Sequence, residues 1–304
     1  MATPIFSTLN ALLLQDTLEA INDDDTDGVE SSAEFPKYCD VETMDKAIED
    51  VLEMGGPGLA SEVDEGVELP TGGIDTGFVT RYTARKFGLR MIVTEEAMDD
   101  NRYPEALKLA ARIKRSLWQT ADIDAANLYN RAFNTSYPGG DDVPLVSASH
   151  TLAGGGTWSN TMATPFSPSR AAYIVASGQV REFPGHDGVR MTGMTITGIH
   201  FPHNQKEVWE GIVGSKYVPE SDRNEINVAE KANLKLVPIT HWTASTTNYV
   251  FVTNADGGGL KFKWRRKPRA RSWVDNSQEF MNHSNSARWA RGWDDARGHL
   301  GVNA

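Results

Sequence analysis

The chain has 304 residues, 39% hydrophobic and 23% charged, with 30 Lys and Arg against 41 Asp and Glu and a formal net charge of −11 at pH 7. That length and apolar content suffice for one large or two modest folded domains, and the acidic balance argues against a dedicated binder of polyanionic nucleic acid. The lone Cys39 excludes an intrachain disulfide framework and a multi-cysteine zinc set, and no apolar run reaches the roughly 20 residues that span a bilayer.

The first residues lack the basic start, apolar stretch and cleavage site of a signal peptide, so a soluble, reducing compartment without membrane contact is expected. Leu9, Leu12, Leu13, Leu18 and Ile21 recur at helical spacing and predict a short amphipathic helix ending at the acidic run Asp23 to Asp27. Its apolar face needs a partner surface. A second short helix is predicted over Val41 to Leu52, stopped by Gly55, Gly56, Pro57 and Gly58. From there to Gly77 glycine is frequent, carboxylates cluster between Glu62 and Glu68, and large apolar groups are few, so the segment cannot build a core. Phe78 to Val93, with Phe87, Leu89, Met91 and Val93 alternating against polar or basic neighbours, reads as extended chain returning from that loop. The loop is therefore a two-legged excursion.

A long helix follows over about 103–134, with Asp100 and Asn101 as cap candidates and Pro104 near its start. Ala106, Ala110, Ile113, Leu117, Ala121, Ala125, Leu128 and Ala132 form one face. About 30 residues at 1.5 Å each make a rod of roughly 45 Å. Beyond the breakers Tyr137 to Gly140 and a glycine-rich surface segment from Leu152 to Asn160, helices are predicted from Pro168 to Phe183, with Ser167 as cap, and from Asn204 to Val213. Strands are predicted around Thr195 to Phe201 and Leu234 to Ile239, giving an α+β fold class. From Asn248 the pattern is strand and hairpin, with Asn254 to Gly259 as the turn and a Trp-, Arg- and Gly-rich tail. There is no repeat at solenoid period.

Taken in order, the segments CDVETMDKAIED (Cys39 to Asp50), GGPGLASEVDEG followed by GFVTRYTARKFGLRMIVTEEAMDD, NLYNRAFN (Asn127 to Asn134), PLVSASHTLAGGGTWSN (Pro144 to Asn160), NEINV (Asn224 to Val228), GGLKFKWRRKP (Gly258 to Pro268) and RGWDDARG (Arg291 to Gly298) carry a resemblance. The sequence resembles major capsid proteins of the Hong Kong 97 fold from tailed phages, in particular the major head subunits of Mu-like phages. The resemblance implies an N-terminal arm over 1–54, an extended loop over 55–81 and a peripheral domain over 82–166 holding the spine helix. It further implies an axial domain over 167–247, peripheral strands over 248–284, and a tail over 285–304 near the axial domain. It implies a non-enzymatic subunit forming hexamers and pentamers of an icosahedral shell around double-stranded DNA, assembled in the host cytoplasm and ending in the virion. Partners implied are a portal, optionally a decoration protein, and a separate scaffolding protein, since Met1 opens almost directly on the arm. No lysine lies between Lys46 and Lys86, so the isopeptide weld of the type member is not expected.

Two motifs carry candidate sites. In KFKWRRKPRAR, alternation along a strand places Lys261, Lys263, Arg265, Lys267, Arg269 and Arg271 on one face. Such a face can receive Glu62, Asp64, Glu65 and Glu68 of an adjacent subunit's loop, form a solvated edge that resists wrong pairing, or meet packaged DNA. DDDTDGVESSAEF fits the calcium-loop pattern with Asp23, Asp25 and Asp27 at positions one, three and five, Gly28 at six and Glu34 at twelve. Against it, Glu30 replaces an apolar residue, Pro36 disturbs the exit helix, and acidic stretches match by chance; no other cofactor is implied.

Other candidates are weaker. His200 and His203 would point to opposite faces of a strand, Ser149 and His150 point apart in extended chain, and the glycines at 154–156 and 257–259 lack the lysine and hydroxyl of a phosphate loop. Trp289, Arg291, Trp293, Arg297 and Gly298 suit either an interface or packing on the chain's own body. The alternatives to a shell subunit are a calcium-dependent binding module and a hydrolase with unrecognised carboxylates.

Overall fold

Two four-stranded sheets carry the chain in the computed structural model, which describes residues 28–56, 58–73, 76–94, 103–164, 166–217, 226–275 and 280–303. The helix predicted between Leu9 and Ile21 lies outside the described residues, as do Asp23, Asp25 and Asp27.

The first sheet has the order β1 (Cys39–Thr43), β10 (Leu260–Asp275), β11 (Phe280–Trp293), β4 (Arg85–Thr94), with β1 parallel to β10 and the other pairs antiparallel. Its inner face is covered by the 28-residue helix α1 (Tyr103–Asn130). Ala110 and Ile113 of α1 meet Met91 and Met281, while Leu117, Trp118, Ala121 and Ala125 share a core with Phe35, Phe262, Trp264 and Trp289. Alanines on the covered face bring α1 close enough for large aromatics to fill the gaps between its turns. The predicted periodicity of this helix is found, and it ends at Asn130 in turns that include the buried Ala132.

The second sheet has the order β12 (His299–Val302), β9 (Tyr249–Thr253), β7 (Ile196–Pro202), β8 (Lys235–Ile239). Helices α2 (Arg170–Val180), α3 (Lys206–Gly214) and the single turn α4 (Val228–Lys231) bury Tyr173, Ala176, Trp209 and Ala229 in its core. The cap of α2 is Ser169 and not Ser167: its Oγ accepts the N–H of Ala172 at 3.2 Å.

Between the sheets' elements, β2 (Ile48–Met54) and β3 (Thr76–Thr83) form an antiparallel ribbon from Ile48 opposite Thr83 to Met54 opposite Thr76. Residues 58–73 beyond it have neither helix nor strand, and almost all are exposed. The expected two-legged excursion is thus present, with its legs reaching back to Ile48 and forward to Thr83. A minor pair joins β5 (His150–Thr151) to β6 (Thr157–Trp158).

The structure corrects three further sequence expectations. No helix spans Val41 to Leu52: Val41, Met44, Ile48 and Val51 have helical spacing, but β10 would otherwise leave an unpaired row of backbone groups, and β1 fills it in register from Cys39 opposite Leu260 to Thr43 opposite Trp264. Asn254 to Gly259 does not close a hairpin. The continuous apolar run of β9 marks a strand paired on both sides, by β7 and β12, so the turn carries the chain from one sheet to the other. That crossing is tight enough that a Cβ added at Gly258 would lie 2.5 Å from the Cα of Gly298. The hairpin is instead β10 with β11, and the tail boundary at 285 falls inside β11; only the segment from Ala296 onward reaches the second sheet.

Candidate assembly surfaces

Alternation along β10 survives only to Trp264, because the ladder with β11 shifts between Trp264 and Arg266 and again between Arg266 and Arg269. On the outer face, away from α1, stand Lys261 and Lys263, then Arg266 opposite Arg288, then Arg269 opposite Ser286 and Arg271 opposite Ser284. Arg265 and Lys267 are displaced from that row. The row's expected membership is therefore corrected: Arg266 enters it, and Lys267 finds Glu30 at 3.7 Å. The guanidine Nε of Arg265 is buried without a partner among the described residues.

The two ends of the row differ in their partners. Lys261 faces Asp40 and Lys263 faces Glu42 in register. Lys261 Nζ lies 3.1 Å from Asp40 and 3.0 Å from Glu42, while Lys263 Nζ lies 3.3 Å from Glu42 and 3.0 Å from Glu49 of the ribbon. Burial opposes ionisation of Glu42, but the hydrogen bonds and charges of Lys261 and Lys263 overcome it and hold its carboxyl below the usual range. Lys263 also lies over the Tyr82 ring, 4.6 Å from its centroid. Lys261 and Lys263 thus each have carboxylate partners within the chain.

The far end has no such balance. Lys86 lies opposite Arg288 and Arg90 opposite Ser284, on the same face. Among the described residues no carboxylate pairs with Lys86, Arg90, Arg266, Arg269, Arg271 or Arg288. Burial and the charges of Arg271, Arg288 and Arg269 together push the guanidinium of Arg266 below its usual value. Glu62, Asp64, Glu65 and Glu68 are all exposed on the loop and have no ionic partner among the described residues. Arg266, Arg288, Lys86 and Arg90 were not singled out by the sequence, because cross-strand neighbours depend on register; the alternation of Lys86 and Arg90 in RKFGLR was the one available signal.

The ribbon is fixed to the body at its base. Tyr82 is buried with Met44 and Ala290 and donates to Asp294 Oδ1 at 2.7 Å. Glu53 Oε1 accepts from Arg297 at 3.0 Å and lies 3.1 Å from His186 Nδ1, and Arg297 also reaches both Asp295 oxygens at 3.1 Å. Glu53, His186 and Asp295 have spacing suited to a metal ion, yet the guanidinium of Arg297 already supplies the positive charge among them.

Of the calcium-loop residues, Gly28, at φ 61°, and Glu34 are described. Glu34 Oε2 accepts the N–H of Thr240 at 3.1 Å and its Oε1 the hydroxyl at 2.7 Å, while the N–H groups of Glu34 and Phe35 donate to Asp122. The carboxylate expected at position twelve is engaged in fastening this segment to the body. His150 spends both ring nitrogens, on Asp141 at 2.5 Å and Asn160 at 3.0 Å, and makes no pair with Ser149. His200 is buried against Tyr129, Nδ1 to hydroxyl 2.5 Å, and His203 sits in the turn before α3. Trp289 stacks on Phe87 with centroids 4.1 Å apart and donates to Asp124 at 2.9 Å, so this part of the tail packs on its own body. A surface groove of about 390 Å³ beside it has Asp124 as its carboxylate, already bound to Trp289 and to Arg291 at 2.7 Å.

No protein-family model matches the chain, and no curated protein matches it either. Solved structures do. The capsid of cyanophage P-SCSP1u aligns with a TM-score of 0.56 over 90% of this chain and 88% of that one, at 11% identity. The chain has the Hong Kong 97-like capsid fold. A Mycobacterium phage Adephagia structure aligns at TM-score 0.51 and 9% identity over 89% of both chains, and a virus-like particle from Pyrococcus furiosus at 0.51 and 8% over 95% and 98%. Identities this low come with near-complete coverage because the capsid fold rests on sheet order and the covering of α1, which many apolar sequences satisfy.

Proposed function

We propose that the chain is the major capsid protein of a tailed bacteriophage, a non-enzymatic subunit that assembles as hexamers and pentamers into the icosahedral head enclosing double-stranded DNA. The fold supports this reading, and one observation carries it: the loop over 58–73 holds Leu59 and Leu69 at 77% and 76% exposure on a segment with no core of its own. A neighbouring copy supplies the missing surface, and Glu62, Asp64, Glu65 and Glu68 seat on its cationic sheet face at Arg266, Arg269 and Arg271. A separate scaffolding protein, a portal and, optionally, a decoration protein complete the assembly in the host cytoplasm, and the product is the virion shell. Individually weak contacts suffice because closed symmetry repeats each one many times.

The test is co-expression with the scaffolding protein followed by negative-stain microscopy. Shells are expected from the unaltered chain. A variant with 58–73 replaced by a short Gly-Ser linker is expected to fold, by circular dichroism and thermal unfolding, and to form none. Shells of normal yield from the linker variant would overturn the reading.

A further inference from the structure

The outer face of the β10–β11 hairpin is built against itself. Arg266 and Arg288 are direct cross-strand neighbours, Lys86 is the next neighbour on β4, and Arg269, Arg271 and Arg90 continue the face. Directly opposed side chains in an antiparallel pair have Cβ atoms about 5 Å apart, where like charges destabilise the pairing. The residues between these cations are small, Ser284, Ser286 and Gly88, and none is acidic. The same strand shows the other solution twelve residues or fewer away, where Lys261 and Lys263 receive Asp40, Glu42 and Glu49 from the same chain. Past the arginines, Trp273 and Ile92 flank Asn282 on this face, with 40% and 45% of their surfaces exposed. The loop presents the complementary set: four carboxylates with no ionic partner among the described residues, interleaved with the exposed Leu59, Val67 and Leu69.

We propose that cation crowding holds the β10–β11 hairpin below its full stability in the free subunit, and that a second copy's loop completes it, carboxylates on the arginines and leucines on Trp273 and Ile92. Assembly and ordering of the hairpin are then one coupled step, and the unassembled subunit keeps this face soluble through its repulsion. This rests on the reading of the loop as an intersubunit element. Its distinct content is that the cluster costs the free subunit stability.

Two measurements test it. Hydrogen exchange of the full chain is followed over β10 and β11 in free subunits and in DNA-free shells made with the scaffolding protein; exchange is expected to slow at least tenfold on assembly. Equal protection in both states overturns the inference, as does protection that appears only after DNA is packaged, which would make nucleic acid the occupant. In the free subunit alone, R269Q/R271Q is expected to slow hairpin exchange several-fold, and unchanged or faster exchange overturns the inference whether or not shells form. Normal assembly of E65K/E68K would instead remove the loop as the partner while leaving the free-subunit result standing.

Discussion

Glu53 on β2 and Arg297 in the turn before β12 meet at 3.0 Å, tying the root of the extended loop to the second sheet. Arg297 is 3% exposed and its Nε donates to Pro184 O at 2.8 Å, so its charge depends on Glu53 and Asp295 for compensation. Glu53→Ala leaves that charge half-compensated and removes the acceptor for the N–H of Phe78. A loss of about 2–4 kcal/mol is expected, together with faster proteolysis at the ribbon, while Glu53→Gln, which keeps an acceptor, loses less. Equal unfolding midpoints for Glu53→Ala and the unaltered chain would show that the ribbon is anchored elsewhere.

Two buried histidines at the junction of the sheets set an acid limit. Burial, assisted by the charges of His299 and Lys235, pushes His200 well below its ordinary value, and burial pushes His299 down to about 4 although Asp40 opposes it. Both are neutral when folded, so between pH 6.5 and about 4 the unfolded chain binds more protons than the folded one. Stability is therefore fully present above pH 6.5 and falls as the pH drops toward 4, by about 3 kcal/mol from His299 alone at the end of that window. The stabilisation of ionised Glu42 fails only at lower pH, below its ordinary 4.5. Denaturant unfolding at pH 7, 6 and 5 checks the slope, and His299→Leu is expected to flatten it.

The engaged carboxylate of Glu34 makes the calcium question answerable by stability rather than binding alone. Its two bonds to Thr240 hold the segment that delivers Phe35 into the aromatic core with Trp118, Phe262 and Trp264. Glu34→Ala is expected to cost about 1–2 kcal/mol, the same in chelator as in millimolar calcium. A midpoint of the unaltered chain that rises with calcium, and no longer does so in Glu34→Ala, would restore the Asp23 to Glu34 loop as a metal site.

What could be read beforehand was whatever depends on near neighbours in sequence. Ala110, Ile113, Leu117, Ala121, Ala125 and Leu128 announce α1 because one helix face is enough to bury them, and the loop shows itself by lacking anything to bury. Val41 to Leu52 misled because the backbone demand of β10, more than two hundred positions away, outweighs local spacing. Of the cationic face, Arg269 and Arg271 were legible along β10, while Arg266 and the cross-strand members escaped for the same reason. Arg266 became Arg288's neighbour only once two ladder irregularities and a three-strand register were known, and Glu53 with Arg297 joins residues 244 positions apart.

Salt separates the two electrostatic systems on β10. The pairs of Lys263 with Glu42 and Glu49 lie under the ribbon, where the lysine side chain is 5% exposed against 40% and 34% for the carboxylates, and are screened less than pairs with both groups in solvent. Arg269, Arg271 and the loop carboxylates are exposed to solvent, and at 1 M salt the screening length falls to about 3 Å from about 8 Å at physiological strength. Raising salt is therefore expected to leave the pairs under the ribbon in place and to relieve repulsion among the arginines, so the free subunit's unfolding midpoint holds or rises slightly. Steering of the acidic loop is lost over the same range, and initial assembly rates fall by about tenfold or more. Light scattering during assembly, read beside thermal unfolding of the free subunit at each salt concentration, resolves the two. If both fall together, the salt effect lies in the fold, and the cationic face has no separate part in assembly.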